Sequence, residues 1–307
     1  MLKNFRTLII IATLTFIKVI LSDSYPYLKH VKTDYNNIII DFEGGLLDSS
    51  TTNIPEGNFI RLSFPDAHPN DAIGEPDLPV IRQFIEIPQG AVPNIIISDI
   101  ISHQSSLSGY VYPVQPPVIK LPDTEIIFTK NNITYKENRY IFDDLFVIRE
   151  IGQMRDSRYI LLEFRPFNYN PVSSELNIID HCRITINLEN SDITGTTAVK
   201  ERYSTAYSQS INEKILINHG IYRALYVPPV EIGMLIITPD IYADTLTKYA
   251  HWKNRKGFVA EVHSLADIGS TSTSIKNFIQ DVYNNGDIAP QFVLLVGDID
   301  VLPTNSA

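Results

Sequence analysis

The chain has 307 residues, 44% of them apolar, and a formal net charge of −10. That length and apolar content suit two domains, each with its own core. The acidic balance speaks against nucleic acid or an anionic membrane as a partner, and there is no Walker-type or Gly-x-Gly-x-x-Gly loop to cradle a phosphate.

In chain order, residues 1–22 are expected to be a signal peptide. Lys3 and Arg6 precede a mostly apolar run at 7–21, and Ser22 or Ser24 offers a small residue before a polar continuation. Lys18 interrupts a run already short for a bilayer span, so the expectation is a secreted, extracellular protein without stable membrane insertion. A retained anchor is the alternative.

Residues 25–200 read as all-β. Apolar runs at 37–40, 59–63, 91–97, 125–128, 145–148 and 159–164 are separated by Pro, Asn, Asp and Gly clusters, the pattern of an antiparallel sandwich or barrel. Gly74-Glu-Pro-Asp-Leu-Pro-Val80 reads as a tight turn entering a strand, with Gly74 free to take positive φ. Pro113, Pro116, Pro117 and Pro122 mark an extended connection. The adjacent carboxylates Asp143 and Asp144 fit a solvated turn, and the histidines show no metal-ligand spacing. Asn132-Ile-Thr134 is a short glycosylation pattern with many chance matches.

Cys182 is the sole cysteine, so no internal disulfide forms, and His181 beside it invites the reading of a catalytic dyad. Alternation argues otherwise. Cys182, Ile184, Ile186 and Leu188 share one face, whereas His181, Arg183, Thr185 and Asn187 share the other. A nucleophilic thiol needs its base within hydrogen-bond reach, and here the two side chains point apart. Cys182 is therefore expected to be a core residue.

Residues 201–232 read as a linker, polar at first and helical in part around 208–217, then extended and stiffened by Pro228 and Pro229. Exposed segments of this kind are where proteases cut.

From residue 233 the pattern changes to β-α-β-α-β. A strand at 234–238 is followed by a helix with Thr238 as its cap and Pro239 as its first residue, carrying Tyr242, Leu246, Tyr249 and Ala250 on one face up to Gly257. A strand at 258–263 leads to a second helix, capped by Ser272, whose Ile275, Phe278, Ile279, Val282 and Tyr283 form a stripe. The third strand, 292–296, runs into Gly297-Asp298. Such a unit closes into a parallel sheet with functional groups beyond the carboxyl ends of the strands, where Asp298 and the 238–240 turn lie. Three strands make a small sheet with the third left as an edge, so the chain reads as the front part of something longer.

Several stretches then resemble a known family. Tyr249-Ala-His-Trp-Lys-Asn-Arg-Lys-Gly257 and Phe292-Val-Leu-Leu-Val-Gly-Asp298 with Leu302-Pro303 look like the opening of the gingipain-type cysteine peptidase domain. Gly74-Glu-Pro-Asp-Leu-Pro-Val80 and Phe167-Asn-Tyr-Asn-Pro-Val172 resemble landmarks of the gingipain propeptide, in the same order. The resemblance implies a multi-domain precursor, with an all-β, sandwich-like prodomain at 25–200 and a linker with a maturation site at 201–232. Residues 233–307 would be the start of an α/β, caspase-like peptidase domain, incomplete at the C-terminus. It also implies an inhibitory and chaperoning prodomain whose partner is its own catalytic domain, and polypeptide substrates for the full-length parent. Maturation is placed around Arg223, Ala224, Leu225 and Tyr226, although Arg223 is here followed by Ala-Leu where the family has its aromatic residue directly. Asp298 matches a position of a structural calcium site, the only cofactor implied; its plain alternative is a turn aspartate. Cys182, His251 and His263 match no catalytic position, so this chain is expected to be inactive by itself. The rival reading is a complete secreted binding or inhibitor protein without catalysis. A Ser-His-Asp hydrolase lacks its Gly-x-Ser-x-Gly elbow.

Overall fold

The computed structural model describes residues 27–117, 127–222 and 231–303. The signal-peptide region and the maturation region Arg223, Ala224, Leu225 and Tyr226 lie outside the described residues, as does the first half of the strand expected at 125–128.

The first eleven strands are β1 (Leu28–Thr33), β2 (Asn37–Glu43), β3 (Asp48–Ile54), β4 (Gly57–Ser63), β5 (Ile81–Ile87), β6 (Val92–Ser106), β7 (Tyr110–Val111), β8 (Phe146–Met154), β9 (Ser157–Phe164), β10 (Phe167–Asn170) and β11 (Glu175–Glu189). β11 organises the larger sheet: it takes β10 and then β2 along one edge and β6 along the other, all antiparallel, with β1 outside β2. A second sheet, β5-β9-β8, covers its inner face. Alternation supplies the core between them: Ile38, Ile40 and Phe42 from β2 and Cys182, Ile184 and Ile186 from β11 meet Ile85 of β5 and Ile160, Leu162 and Phe164 of β9. Phe42 meets Phe164 edge-on at 4.9 Å between centroids. A small third sheet, β3-β4-β7, closes one side. The turn at Gly74 has φ +85°, and a Cβ there would stand 3.0 Å from the Asn131 amide nitrogen, so the residue type follows from both conformation and space.

Helices α1 (Ile193–Tyr203) and α2 (Ala206–Ile215) come next. The linker expected from 201 is here helical at first, and both helices are fixed to the sandwich through polar contacts. Lys200 of α1 donates to Glu86 of β5 and to the Ser157 hydroxyl at 2.8 Å, and Asn212 of α2 donates to Asp156 and Ser157. Asp192 caps α1, and a Thr205–Ser208 capping box opens α2.

The last unit comprises β12 (Ile232–Thr238), α3 (Asp240–Asn254), β13 (Phe258–Ser264), the short α4 (Leu265–Ile268), α5 (Ser272–Asn285) and β14 (Pro290–Leu295). All pairings are parallel and the order is β13-β12-β14. Met234 and Ile236 face α3, whereas Leu235 and Ile237 face α5, which is why β12 reads as an unbroken apolar run. Among the described residues both outer strands are edges, and Val293 and Leu295 of β14 are exposed. Two expected caps are corrected. Thr238 ends β12, and Pro239 is the N-cap of α3 with no side-chain hydrogen bond; α5 is capped by Thr271 in a box with Ser274, while Ser272 is already helical.

Candidate functional site: the contact between the two units

Three places bear on function, two of them legible in the sequence. At the first, Cys182 is fully buried in the sandwich, and burial pushes its thiol up to about 12. His181 lies on the opposite face beside Glu43, with Nδ1 3.3 Å from Oε1. A buried, protonated thiol without a base is no nucleophile. The native chain is expected to resist iodoacetamide at pH 8 and to react stoichiometrically in denaturant; rapid alkylation of the native form would contradict this placement.

The second place is the carboxyl end of the parallel sheet. Asp240 accepts a hydrogen bond from the Ala266 amide at 3.2 Å and so ties together the turns that follow β12 and β13. After β14 the chain reverses at Gly297, φ +144°, where a Cβ would meet Leu302 and Val301 side-chain carbons at 3.1 and 3.2 Å. Asp298 then builds the turn: its carboxylate accepts from the Ile299 amide at 2.7 Å, and its carbonyl accepts from Val301 and Leu302. Among the described residues, no group of three or more His, Cys, Asp or Glu is placed to hold a metal ion. Asp298 thus has the geometry of a turn aspartate.

The third place was not visible in the sequence. It lies at the other end of the sheet, where α5 stops and β14 begins. Arg155 occupies the first position of the two-residue β8–β9 turn with φ +51°, a conformation more usual for Gly or Asn. From there its guanidinium donates to three carbonyls: Tyr203 at the end of α1 (2.7 Å), and Ala289 and Pro290 at the entry to β14 (3.1 and 3.2 Å). Arg202, in the last turn of α1, donates to the carbonyls of Tyr283 and Gly286 at the end of α5 (3.3 and 3.0 Å). Its Nε is a buried donor with no partner among the described residues. Tyr203 stacks on Tyr283 with centroids 5.0 Å apart and planes 12° apart, and Tyr207 of α2 meets Phe292 of β14 edge-on at 5.7 Å. Two isolated arginines and two tyrosines in polar segments carry no periodic signal; only the tertiary arrangement brings them together.

Comparison with known proteins matches these two units to two family models. The model described as Propeptide_C25 matches residues 25–213, and that of Peptidase family C25 matches residues 228–306. The Lys-gingipain of Porphyromonas gingivalis is 31% identical over 261 residues, covering 80% of this chain and 15% of the relative. Gingipain R1 of the same organism is 23% identical over 235 residues, covering 75% of this chain and 23% of the relative. The chain therefore spans a minor part of the curated relatives it matches. A solved structure titled as the complex of Porphyromonas gingivalis RgpB pro- and mature domains shares the fold with a TM-score of 0.53 at 15% identity, covering 65% of this chain and all of that one.

Fold and contact together define a β-rich propeptide docked, within one chain, on the opening strands and helices of a peptidase domain. The chain belongs to the C25 family of gingipain-type cysteine peptidase precursors.

Proposed function

We propose that this chain is the front part of a cysteine endopeptidase zymogen, in which the propeptide holds the peptidase domain inactive and assists its folding until the joining segment is cut. The observation that carries the reading is the docked contact: four hydrogen bonds from Arg155 and Arg202, together with the Tyr203–Tyr283 stack, join the propeptide to the peptidase unit before any cleavage. In this reading residues 1–22 direct export, maturation falls near Arg223 to Tyr226, and polypeptides are the substrates of the full-length parent. A ligand role for Asp298 in a structural calcium site is taken from the resemblance to the family and has no support in the turn itself.

The single thiol of the 307 residues is Cys182, sealed in the propeptide core, so these residues contain no cysteine able to attack a peptide bond. The test is to express the purified chain alongside the product of the whole gene. The chain is expected to show no hydrolysis of peptide substrates, while the longer product becomes active after cleavage near 223–226 and loses that activity to thiol alkylation. A longer product that stays inert after cleavage would sink the zymogen reading.

A further inference from the structure

Helix α5 ends on a hydrogen bond from the Gly286 amide to the Val282 carbonyl, and the carbonyls beyond it need partners from outside the helix. Its last turn carries no basic residue, and its C-cap, Gly286, has φ −66° in place of the left-handed conformation that most often closes a helix. The final carbonyls of a helix have no partner within it, and their partial negative charge favours a cation. Here the cation comes from the propeptide: Arg202 donates to the Tyr283 and Gly286 carbonyls, and Arg155 donates to the Ala289 and Pro290 carbonyls at the entry to β14. Charge-assisted hydrogen bonds of this type are among the stronger polar contacts, and a guanidinium can serve several carbonyls at once.

The two arginines are held in place from behind. Arg155 is aimed by a strained turn and also donates to Tyr203 at the end of α1, so both guanidinium groups depend on that helix end. Buried Lys200, two residues before Arg202, anchors α1 to Glu86 and Ser157. Tyr203 stacks on Tyr283 beside these hydrogen bonds and adds an apolar contact between the same two helix ends.

We propose that Arg155 and Arg202 form a clamp through which the propeptide supplies donors to the terminal carbonyls of α5 and fixes the start of β14, so that the order of this part of the peptidase unit depends on the propeptide. Resting on the zymogen reading, this names the residues by which the propeptide acts as an intramolecular chaperone. They are positioning residues, acting on the fold of the unit they touch.

The test uses the full chain with a site for a specific protease introduced within 223–230. In the wild type, amide exchange at 282–292 is expected to be slow, and the two pieces are expected to co-elute after cutting. In R155A/R202A, exchange at 282–292 is expected to rise at least tenfold and the pieces to separate, while exchange in β9 and β11 stays unchanged. R155K/R202K, which keeps the charge with fewer donors, is expected to fall between. Should the double alanine variant not fold, Y283A alters the same contact from the peptidase side and is expected to raise exchange at 284–292. Unchanged exchange in these variants, or separation of the cut wild-type pieces, overturns the clamp. None of these readouts uses a substrate, so an inert longer product would remove the zymogen reading and leave this result standing.

Discussion

Replacing Glu163 by alanine is expected to destabilise the propeptide by about 3–5 kcal/mol, the range for removing one partner of a buried charge cluster. Glu163 sits on β9 with its side chain 1% exposed. It accepts from Arg149 at 2.8 and 2.7 Å, from Arg82 at 3.0 Å and from Arg165 at 3.0 Å. Asp71 lies on the outer side of Arg82, so removing Glu163 leaves three guanidinium groups with one exposed carboxylate between them. For a unit of this size the loss corresponds to roughly 10 °C in Tm, and Glu163→Gln, which keeps the shape and removes the charge, is expected to lie closer to alanine than to the wild type. The pH dependence gives a second readout. Burial pushes the carboxyl pKa up, but hydrogen bonds from Arg149, Arg82 and Arg165 outweigh it and hold the group below the ordinary glutamate value near 4.5. A carboxylate depressed in the folded state contributes stability that is present above its unfolded pKa and fades as pH falls through the folded one. The wild type is therefore expected to lose stability below about pH 4.5 more steeply than E163Q, measured by urea midpoints between pH 3 and 6. Parallel curves, or a substitution costing under about 1 kcal/mol, would show the cluster to be worth no more than a surface pair.

How far these features could be read in the sequence depends on what holds each element. β2 and the second half of β11 are set by period-2 alternation of Ile, Phe and Cys, and that alternation alone placed Cys182 inside and His181 outside, as the fold has them. β12, α5 and β14 were legible for the same reason: apolar residues at strand or helix spacing pack on one another. Polar side chains that compete for a backbone amide were harder. Thr238 and Ser272 are good caps in isolation, but β12 keeps Thr238 in register with Ser264, and Thr271 with Ser274 makes the reciprocal pair one residue earlier. Helices α1 and α2 were least legible, because their buried residues are Thr196, Lys200, Ser208 and Asn212. A helix seated by hydrogen bonds shows no hydrophobic stripe, so the segment resembles a linker. The clamp inherits that invisibility, since Arg202, Tyr203 and Tyr207 all lie on those helices or next to them.

The same polar seating makes Lys200→Met the most informative single change in the chain. Lys200 is 5% exposed and pairs with Glu86, 1% exposed, with Asp156 at 3.8 Å. Methionine fits the helix and fills similar space but leaves Glu86 buried without its cation, at a cost of about 3–5 kcal/mol. Because Lys200 lies two residues before Arg202, the loss is expected to reach the clamp: α1 loosens, and exchange at 282–292 rises although neither arginine has been touched. Two further measurements separate this from ordinary damage to packing. In E86Q/K200M both charges are gone, and most of the lost stability is expected to return, giving a coupling energy of at least about 1 kcal/mol in the double-mutant cycle. The second is pH. Burial already pushes the Glu86 carboxyl above its ordinary range, with Lys200 opposing it, so removing Lys200 raises it further. A carboxyl whose folded pKa exceeds its unfolded value binds its proton more tightly in the native state, and folding gains stability as pH falls through the folded pKa. K200M is therefore expected to recover toward the wild type as pH is lowered from 8 toward the ordinary carboxylate range, because the raised Glu86 carboxyl takes up its proton earlier in the native state. A deficit that stays constant across that range, with no recovery in the double variant, would mean that α1 is held by shape alone and that the Lys200–Glu86 pair does not anchor the clamp.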